Sequence, residues 1–273
     1  MLFVGVDLAW GESTETRAAA DTGLAALDES GRITDAGWAS GLAAALEWVE
    51  QRAAPDTLLF VDAPLVVDNE SGQRLCEKQV GQRYGRWEVS ANSTNLDSPN
   101  LGGVTLLAAL EARGWRYSDG RDGPPTAGRV VSECYPYTTL VGVPELGYND
   151  ERPRYKRPPR RMPAAEWQPL RCAACDELIR RLSELDRADP PLDMRSHPET
   201  RRLIEEPSPV PKAAYKRRED LIDAVICAWT AAYWWRYGEE RSQVLGVPAD
   251  GTPGVSRVAT IIAPARREQR GRT

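Results

Sequence analysis

The stretch Leu2-Phe-Val-Gly-Val-Asp7 consists of five largely apolar residues followed by a carboxylate, and Thr57-Leu-Leu-Phe-Val-Asp62 repeats this pattern. Short apolar runs of this kind predict buried β-strands. Between them, apolar side chains at positions 42, 45, 46 and 49 have the spacing of one helix face. A strand, a helix and a second strand form a crossover unit in which the two strands run parallel. These stretches therefore predict an α/β fold.

The remaining predicted elements extend this unit in both directions. A turn at residues 29–31 joins two short runs and predicts an antiparallel meander with the first strand. Gly128-Arg-Val-Val-Ser-Glu133 predicts a third buried strand, and Arg257-Val-Ala-Thr-Ile-Ile-Ala263 predicts a late one. Helices are predicted near residues 72–84 and over residues 104–113, 164–187 and 212–236. We expect one α/β domain over residues 1–265, with a helical and loop insertion around 140–211 and a disordered basic tail at 266–273.

Composition and charge exclude several classes of protein. The 273 residues suffice for a sizeable core, and the formal charge of −5 argues against a dedicated nucleic-acid coat protein. A nuclease with local basic patches remains compatible with that charge. We expect neither a membrane span nor a secretory signal, because long apolar runs are absent and no cationic region precedes Asp7. Five cysteines, an odd number in a long chain, favour the reducing cytoplasm over a disulfide framework.

The inventory of reactive residues is narrow. The single histidine, His197, lies beside a proline in a context typical of a loop, so a multi-histidine metal site is excluded. Cys172 and Cys175 form one CxxC without a second pair, and we interpret them as residues of a helix. The glycine-rich phosphate-binding motifs GxxxxGK[ST] and GxGxxG do not occur. Any chemistry must therefore come mainly from carboxylates.

Three carboxylates follow predicted strands. Asp7 and Asp62 stand at carboxyl ends of strands, where the reactive crevice of an open α/β sheet lies. If the strands are parallel neighbours, we expect the two carboxylates within about 6 Å, close enough to share a hard cation such as Mg²⁺. Glu133 ends the third strand and can reach the same rim. The structural alternatives are a strand-end turn for Asp7, an Asx-type turn for Asp62 and a salt bridge for Glu133.

The longest predicted helix adds two aspartates. Asp220 and Asp223 are three residues apart and therefore share a helix face. Asp223 interrupts an apolar run, so we expect it to be at least partly desolvated. Removing its charge should then leave the metal-free protein as stable or more stable, whereas a structural salt bridge predicts destabilisation. For Asp220 the alternative is a solvated helix start beside basic residues.

A basic segment occupies residues 144–163, where five prolines and six basic residues predict an exposed loop or linker. Its cations, with Tyr155 among them, can track a phosphate backbone. An ordinary solvated loop is the alternative. The candidate nucleic-acid-binding residues are Arg154, Lys156, Arg157, Arg160 and Arg161.

Four blocks resemble, in order and spacing, a predicted ribonuclease H-like nuclease family catalogued as domain of unknown function 429. They are Val4-Gly-Val-Asp-Leu-Ala-Trp10, Val61-Asp-Ala-Pro-Leu65, Glu133-Cys-Tyr-Pro136 and Glu219-Asp-Leu-Ile-Asp-Ala-Val-Ile-Cys-Ala228. Cys76-Glu77 and Tyr155-Lys156 are similar to further family positions. The resemblance covers most of residues 1–235. It implies a ribonuclease H-like mixed five-stranded sheet whose first three strands form a meander, flanked by helices.

The resemblance also implies roles for the acids. Asp7 matches the family's first-strand aspartate, Asp62 the acid of the strand beside it, and Asp223, with Asp220, the acids of the final helix, while Glu133 matches a family glutamate. We expect metal-dependent hydrolysis of phosphodiester bonds in DNA or RNA, with two Mg²⁺ or Mn²⁺ ions flanking the scissile phosphate. The expected metal ligands are Asp7, Asp62 and Asp223, with Asp220 or Glu133 as a further ligand.

Two other functions remain open. One is an ATP-dependent phosphotransferase on the related actin-like fold, although Trp10 is a poor neighbour for a phosphate. The other is a non-catalytic nucleic-acid-binding module that uses its acids only structurally. Nucleotide binding and Mn²⁺-dependent cleavage discriminate among the three.

Overall fold

The structure is a computed structural model and describes residues 1–9, 20–157, 162–248 and 257–271. Within these ranges the chain forms eight strands and seven α-helices. The strands are β1 (Leu2–Asp7), β2 (Asp21–Leu27), β3 (Ile33–Ser40), β4 (Thr57–Val61), β5 (Arg116–Tyr117), β6 (Arg129–Glu133), β7 (Ser242–Leu245) and β8 (Ile261–Pro264). The helices are α1 (Leu42–Arg52), α2 (Leu75–Tyr84), α3 (Gly102–Glu111), α4 (Pro136–Gly142), α5 (Ala164–Ser183), α6 (Pro198–Glu205) and α7 (Lys212–Tyr237).

The main sheet is mixed. In the described chain it has six strands in the order β3-β2-β1-β4-β6-β5. The first three strands form an antiparallel meander, and β4 and β6 continue the sheet parallel to β1. The predicted meander and the crossover through α1 are confirmed. One strand more is present than the five expected, because β5 has only two residues and leaves no periodic pattern in the sequence.

The strands send alternate side chains into two separate cores. Phe3 of β1 and Phe60 of β4 join the core on the side of α7, whereas Val4 joins the opposite core with α1 and α3. This alternation follows from the two-residue period of a strand. Asp7 is four residues after Phe3, and Asp62 is two residues after Phe60. Both carboxylates therefore stand on the face that α7 covers.

Helix α7 lies directly on β1 and β2 because two glycines remove the side chains between them. A Cβ at Gly5 would come within 2.0 Å of the Ala224 carbonyl oxygen, and one at Gly23 within 2.0 Å of the Asp220 carbonyl oxygen. Backbone contact this close fixes where α7 lies along the strands. It carries Asp220 and Asp223 to the carboxyl end of β1.

The insertion around residues 140–211 contains α5 and α6 and belongs to the main core. Cys175, Leu178, Ile179 and Leu182 of α5 are buried in the same cluster as the inner side of α7. The predicted helix over 164–187 ends earlier, at Ser183, and is followed by a short 3-10 turn. Across the described ranges, no helix is long and apolar enough to cross a membrane.

The carboxyl-terminal part differs from the sequence-based expectation. The late strand predicted over residues 257–263 begins later, as β8. It pairs antiparallel with β7, which no sequence pattern indicated, in a separate two-stranded sheet. Residues 266–271, predicted as a disordered tail, instead pack on the domain. The Gln269 side chain is buried and donates to the Val141 carbonyl at 3.1 Å, and the Arg266 guanidinium donates to the same carbonyl at 2.9 Å. These partners are far away in sequence, so basic composition alone did not reveal them. Residues 272 and 273 lie outside the described ranges.

Candidate metal centre

Asp7 and Asp62 end two adjacent parallel strands in the same register. Strands β1 and β4 pair from Leu2 opposite Thr57 to Val6 opposite Val61, so the two aspartates occupy the next pair of positions. The Asp62 amide donates to the Val6 carbonyl at 2.8 Å, which continues the ladder. The expected position of these two acids is confirmed.

Asp223 completes a compact group of acids. One carboxylate oxygen from each of Asp7, Asp62 and Asp223 lies within 4.8 Å of the other two. The Asp223 side chain is fully buried, and the other two are half-buried. This spacing is inside the separation of about 6 Å expected from the sequence. Three carboxylate oxygens at this spacing suit a hard divalent cation, which prefers oxygen ligands.

The electrostatics of the group also favour a cation. Burial is the main cause that raises the pKa of Asp62 to about 7, against the opposing effect of the Lys156 ammonium. Burial, followed by the charge of Asp223, raises the pKa of Asp7 well above its usual range. Like charges in a buried site require protons or a counter-ion. A divalent ion would displace protons that the acids hold near neutral pH.

We expect Mn²⁺ binding at this centre to release protons and to weaken as the pH falls below about 7. The metal-free protein should lose stability as the pH rises from 3.8 to about 7, because the folded state holds a proton on Asp62 that the unfolded chain has lost. Calorimetry in buffers of different ionisation enthalpy measures the released protons, and thermal melts measure the stability. Asp62→Asn should bind Mn²⁺ too weakly to release measurable protons, and the pH profile of its melts should be flatter. Identical proton release by both proteins would contradict the assignment.

Two residues of the predicted basic loop lie inside the centre. The Tyr155 hydroxyl, which is fully buried, donates to Oδ1 of Asp223 at 2.6 Å. The Lys156 ammonium forms an ion pair with Oδ2 of the same carboxylate. Tyr155 is held there by ring packing on Tyr137, with centroids 5.5 Å apart. The structure therefore corrects the expectation that Lys156 is an exposed side chain, whereas its predicted contact with nucleic acid stays a prediction. An aromatic residue inside a charged run was the signal available in the sequence.

Asp220 lies beside the group of three acids and carries its own counter-ion. The Lys216 ammonium is 2.6 Å from Asp220 and 2.9 Å from Glu219, on the same face of α7. The Asp220 side chain is buried, so the alternative of a solvated helix start is wrong. The three-oxygen group found in the described residues does not include Asp220. Its predicted role as a direct metal ligand remains a prediction.

Glu133 points to the opposite face of the sheet. It pairs with Val61 rather than with Asp62, and the strand alternation turns its side chain away from the α7 face. Arg74 binds both of its carboxylate oxygens, at 2.6 and 2.8 Å, and the Leu65 amide donates to it at 2.9 Å. The structure thus supports the salt-bridge alternative. Glu133 holds the loop that follows Asp62, and its predicted catalytic role stays a prediction.

The outer part of the basic segment divides into paired and exposed cations. Arg154 forms ion pairs with Glu88 and Glu151. Arg157 is exposed, and its guanidinium donates to the Asn92 side-chain oxygen at 3.0 Å. Arg160 and Arg161 lie outside the described ranges. Arg157 is therefore the described residue of this set that best retains the predicted role at a surface.

A cavity of about 1010 Å³ opens in front of the acids. Its lining includes the acids Asp7, Asp62, Asp220 and Glu133 together with five cationic side chains, which are Arg74, Lys156, Arg157, Lys216 and Arg217. Cavities of this size accept substrate-sized ligands. Acids that can hold a divalent ion, with cations around them, suit a ligand that carries phosphate.

His197, Cys172 and Cys175, for which the sequence predicted no catalytic role, contribute to the packing and capping of helices. Nδ1 of His197 accepts a hydrogen bond from the Glu199 amide at 3.3 Å, and this bond caps the start of α6. Cys172 and Cys175 lie in α5, buried and free. Neither group lines the cavity described above.

Comparison with known proteins gives one match. A family model described as a protein of unknown function (DUF429) matches residues 5–249. Neither a curated protein nor a solved structure matches the chain. The matched range includes Asp7, Asp62 and Asp223, as well as Lys156 and Glu133. The chain therefore belongs to the DUF429 family of proteins of unknown function.

Proposed function

We propose that this protein is a nuclease of ribonuclease H-like fold that hydrolyses phosphodiester bonds of DNA or RNA with Mg²⁺ or Mn²⁺. The convergence of Asp7, Asp62 and Asp223 at the ends of β1 and β4 and on α7 carries the proposal. The antiparallel meander, the parallel β4 and the final helix over the sheet support the fold assignment. All five cysteines are free and buried, which is in keeping with a reducing cytoplasm.

The three aspartates would hold the ion. When bound, it would supply Lewis-acid activation of a water molecule and of the scissile phosphate. In the hydrolysis, the water oxygen forms a bond to phosphorus, the bond from phosphorus to the leaving oxygen breaks, and that oxygen gains a proton. Arg74 and Glu133 keep the loop after Asp62 in place, so that the ligand set is formed before substrate binds.

Cleavage assays test this proposal directly. Single-stranded, duplex and branched DNA and RNA should be compared with Mg²⁺, with Mn²⁺ and with a chelator. We expect metal-dependent cleavage of at least one substrate by the wild type and none by Asp7→Asn. ATP binding without cleavage would favour the phosphotransferase, and nucleic-acid binding without cleavage would favour the non-catalytic module. Either result would overturn the nuclease proposal.

Arg157→Ala should weaken nucleic-acid binding, because one phosphate contact is lost. In a plot of the logarithm of the binding constant against the logarithm of the salt concentration, the slope should become shallower by about one. The matched control is Arg154→Ala, since Glu88 and Glu151 already neutralise Arg154. Fluorescence anisotropy at several salt concentrations measures both effects. Equal slopes of binding against salt concentration for the wild type and Arg157→Ala would favour the alternative that this segment is an ordinary solvated loop.

A further inference from the structure

We infer that the centre binds a single divalent ion and that the Lys156 ammonium supplies the second positive charge in place of a second ion. This inference rests on the proposed function and specifies its metal content. Sites with two ions about 3.5–4 Å apart need enough carboxylates to bind both.

Two of the acids expected from the sequence lie outside the compact group of oxygens and are paired with protein cations. Lys216 lies 2.6 Å from Asp220, and Arg74 binds both oxygens of Glu133. The Glu133 carboxylate also points away from the α7 face. Asp7, Asp62 and Asp223 are the acids left for an ion, and they form the compact group of oxygens.

Asp223 is itself shared with protein donors. Tyr155 donates to its Oδ1 at 2.6 Å, and Lys156 is ion-paired with its Oδ2. Each carboxylate oxygen has two lone pairs, so Asp223 can accept these contacts and still face one ion. A second ion on Asp223 would have to compete with the Lys156 ammonium for the same oxygen.

The charge of the centre leads to the same stoichiometry. Once an ion has displaced their protons, three aspartates and one ammonium leave two negative charges, which one divalent ion neutralises. The adjoining Asp220 and Glu219, which share the Lys216 ammonium, add one further negative charge, fewer than a second divalent ion would bring. A second ion would leave net positive charge in a group that includes the fully buried Asp223. Uncompensated charge is strongly disfavoured in such an environment.

Lys156 is held in this position from several sides. Its ammonium lies 5.5 Å from the ring centroid of Tyr137 and 5.6 Å from that of Tyr155. The neighbouring Tyr155 is anchored by its hydrogen bond to Asp223, and the Tyr215 hydroxyl donates to the Tyr155 carbonyl at 2.7 Å. A cation fixed in this way can offset the negative charge that develops as a phosphodiester bond breaks.

Counting bound Mn²⁺ tests the inference without any activity measurement. Electron paramagnetic resonance of free Mn²⁺ during a titration gives the number of ions per chain. We expect one ion for the wild type, one for Lys156→Arg, which keeps the charge, and two for Lys156→Met, which frees the Asp223 oxygen. Arg154→Met removes a cation that is paired with Glu88 and should bind one ion.

Two ions in the wild type would overturn the inference and leave the proposed metal centre intact. A wild type that binds no Mn²⁺ would overturn the proposed function, and the inference with it. One ion in Lys156→Met, bound as tightly as in the wild type, would show that Lys156 does not exclude a second ion. If Lys156→Met does not fold, the counts for the wild type and Lys156→Arg still decide the matter, because two ions in either protein contradicts the inference.

Discussion

Asp62→Asn should abolish cleavage and leave the metal-free protein as stable as the wild type or more stable. The amide keeps the shape of the side chain and removes one charge from a group of mutually repelling carboxylates. Loss of one ligand should lower the rate constant about 10³-fold or more, which corresponds to about 4 kcal/mol of transition-state stabilisation. The shift of the melting temperature by Mn²⁺ should disappear in the same variant. Cleavage rates and thermal melts with and without Mn²⁺ measure these effects.

Asp223→Asn provides the contrasting result. Because Asp223 is ion-paired with Lys156 and accepts a hydrogen bond from Tyr155, its neutralisation removes the ion pair of a poorly exposed ammonium and leaves only the more distant charges of Asp7 and Asp62 to compensate it. We now expect the metal-free protein to be destabilised, by about 3 kcal/mol. The sequence alone had led to the opposite expectation for this variant. Mn²⁺ should shift the melting temperature of neither variant, and a normal shift in Asp62→Asn would remove Asp62 from the centre.

Arg74→Met should be among the most destabilising single substitutions in the chain. The Arg74 side chain is buried, lies 2.9 Å from Glu77 and binds both oxygens of Glu133. Removing it leaves two buried carboxylates without their cation, which typically costs about 3–5 kcal/mol. The melting temperature should fall by on the order of 10 °C for a domain of this size.

Urea denaturation of the same variant measures the free energy of unfolding directly. The control is Arg154→Met, because the Arg154 pairs are largely solvent-accessible and should contribute less than about 1 kcal/mol. If Arg74→Met had the same free energy of unfolding as the wild type, the buried ion pairs of Arg74 with Glu77 and Glu133 would not stabilise the fold.

The strands and the first two acids could be predicted because their signals are local. Each of the runs before Asp7 and Asp62 is apolar, and a helical pattern lies between them. The alternation of side chains along a strand also predicts which face of the sheet each acid occupies, and chain order alone does not. It turns Asp62 toward α7 and Glu133 away from it, although both follow a predicted strand.

The rest of the centre depends on contacts between distant parts of the chain. The ion pair of Lys156 with Asp223 joins residues 67 positions apart in the sequence, and its loop has no regular secondary structure. Composition therefore suggested an exposed basic segment. The roles of Gly5 and Gly23 were also missed, because a glycine within a strand does not reveal which backbone approaches it.

Anomalous diffraction from crystals soaked in Mn²⁺ would locate the bound ion among the three aspartates. We expect one anomalous peak per chain, about 2.0–2.3 Å from carboxylate oxygens of Asp7, Asp62 and Asp223. The Lys156 ammonium should remain on Asp223 in the same crystals. Absence of a peak between these three side chains at saturating Mn²⁺, or a peak bound by other residues alone, would contradict the claim that they form a metal centre.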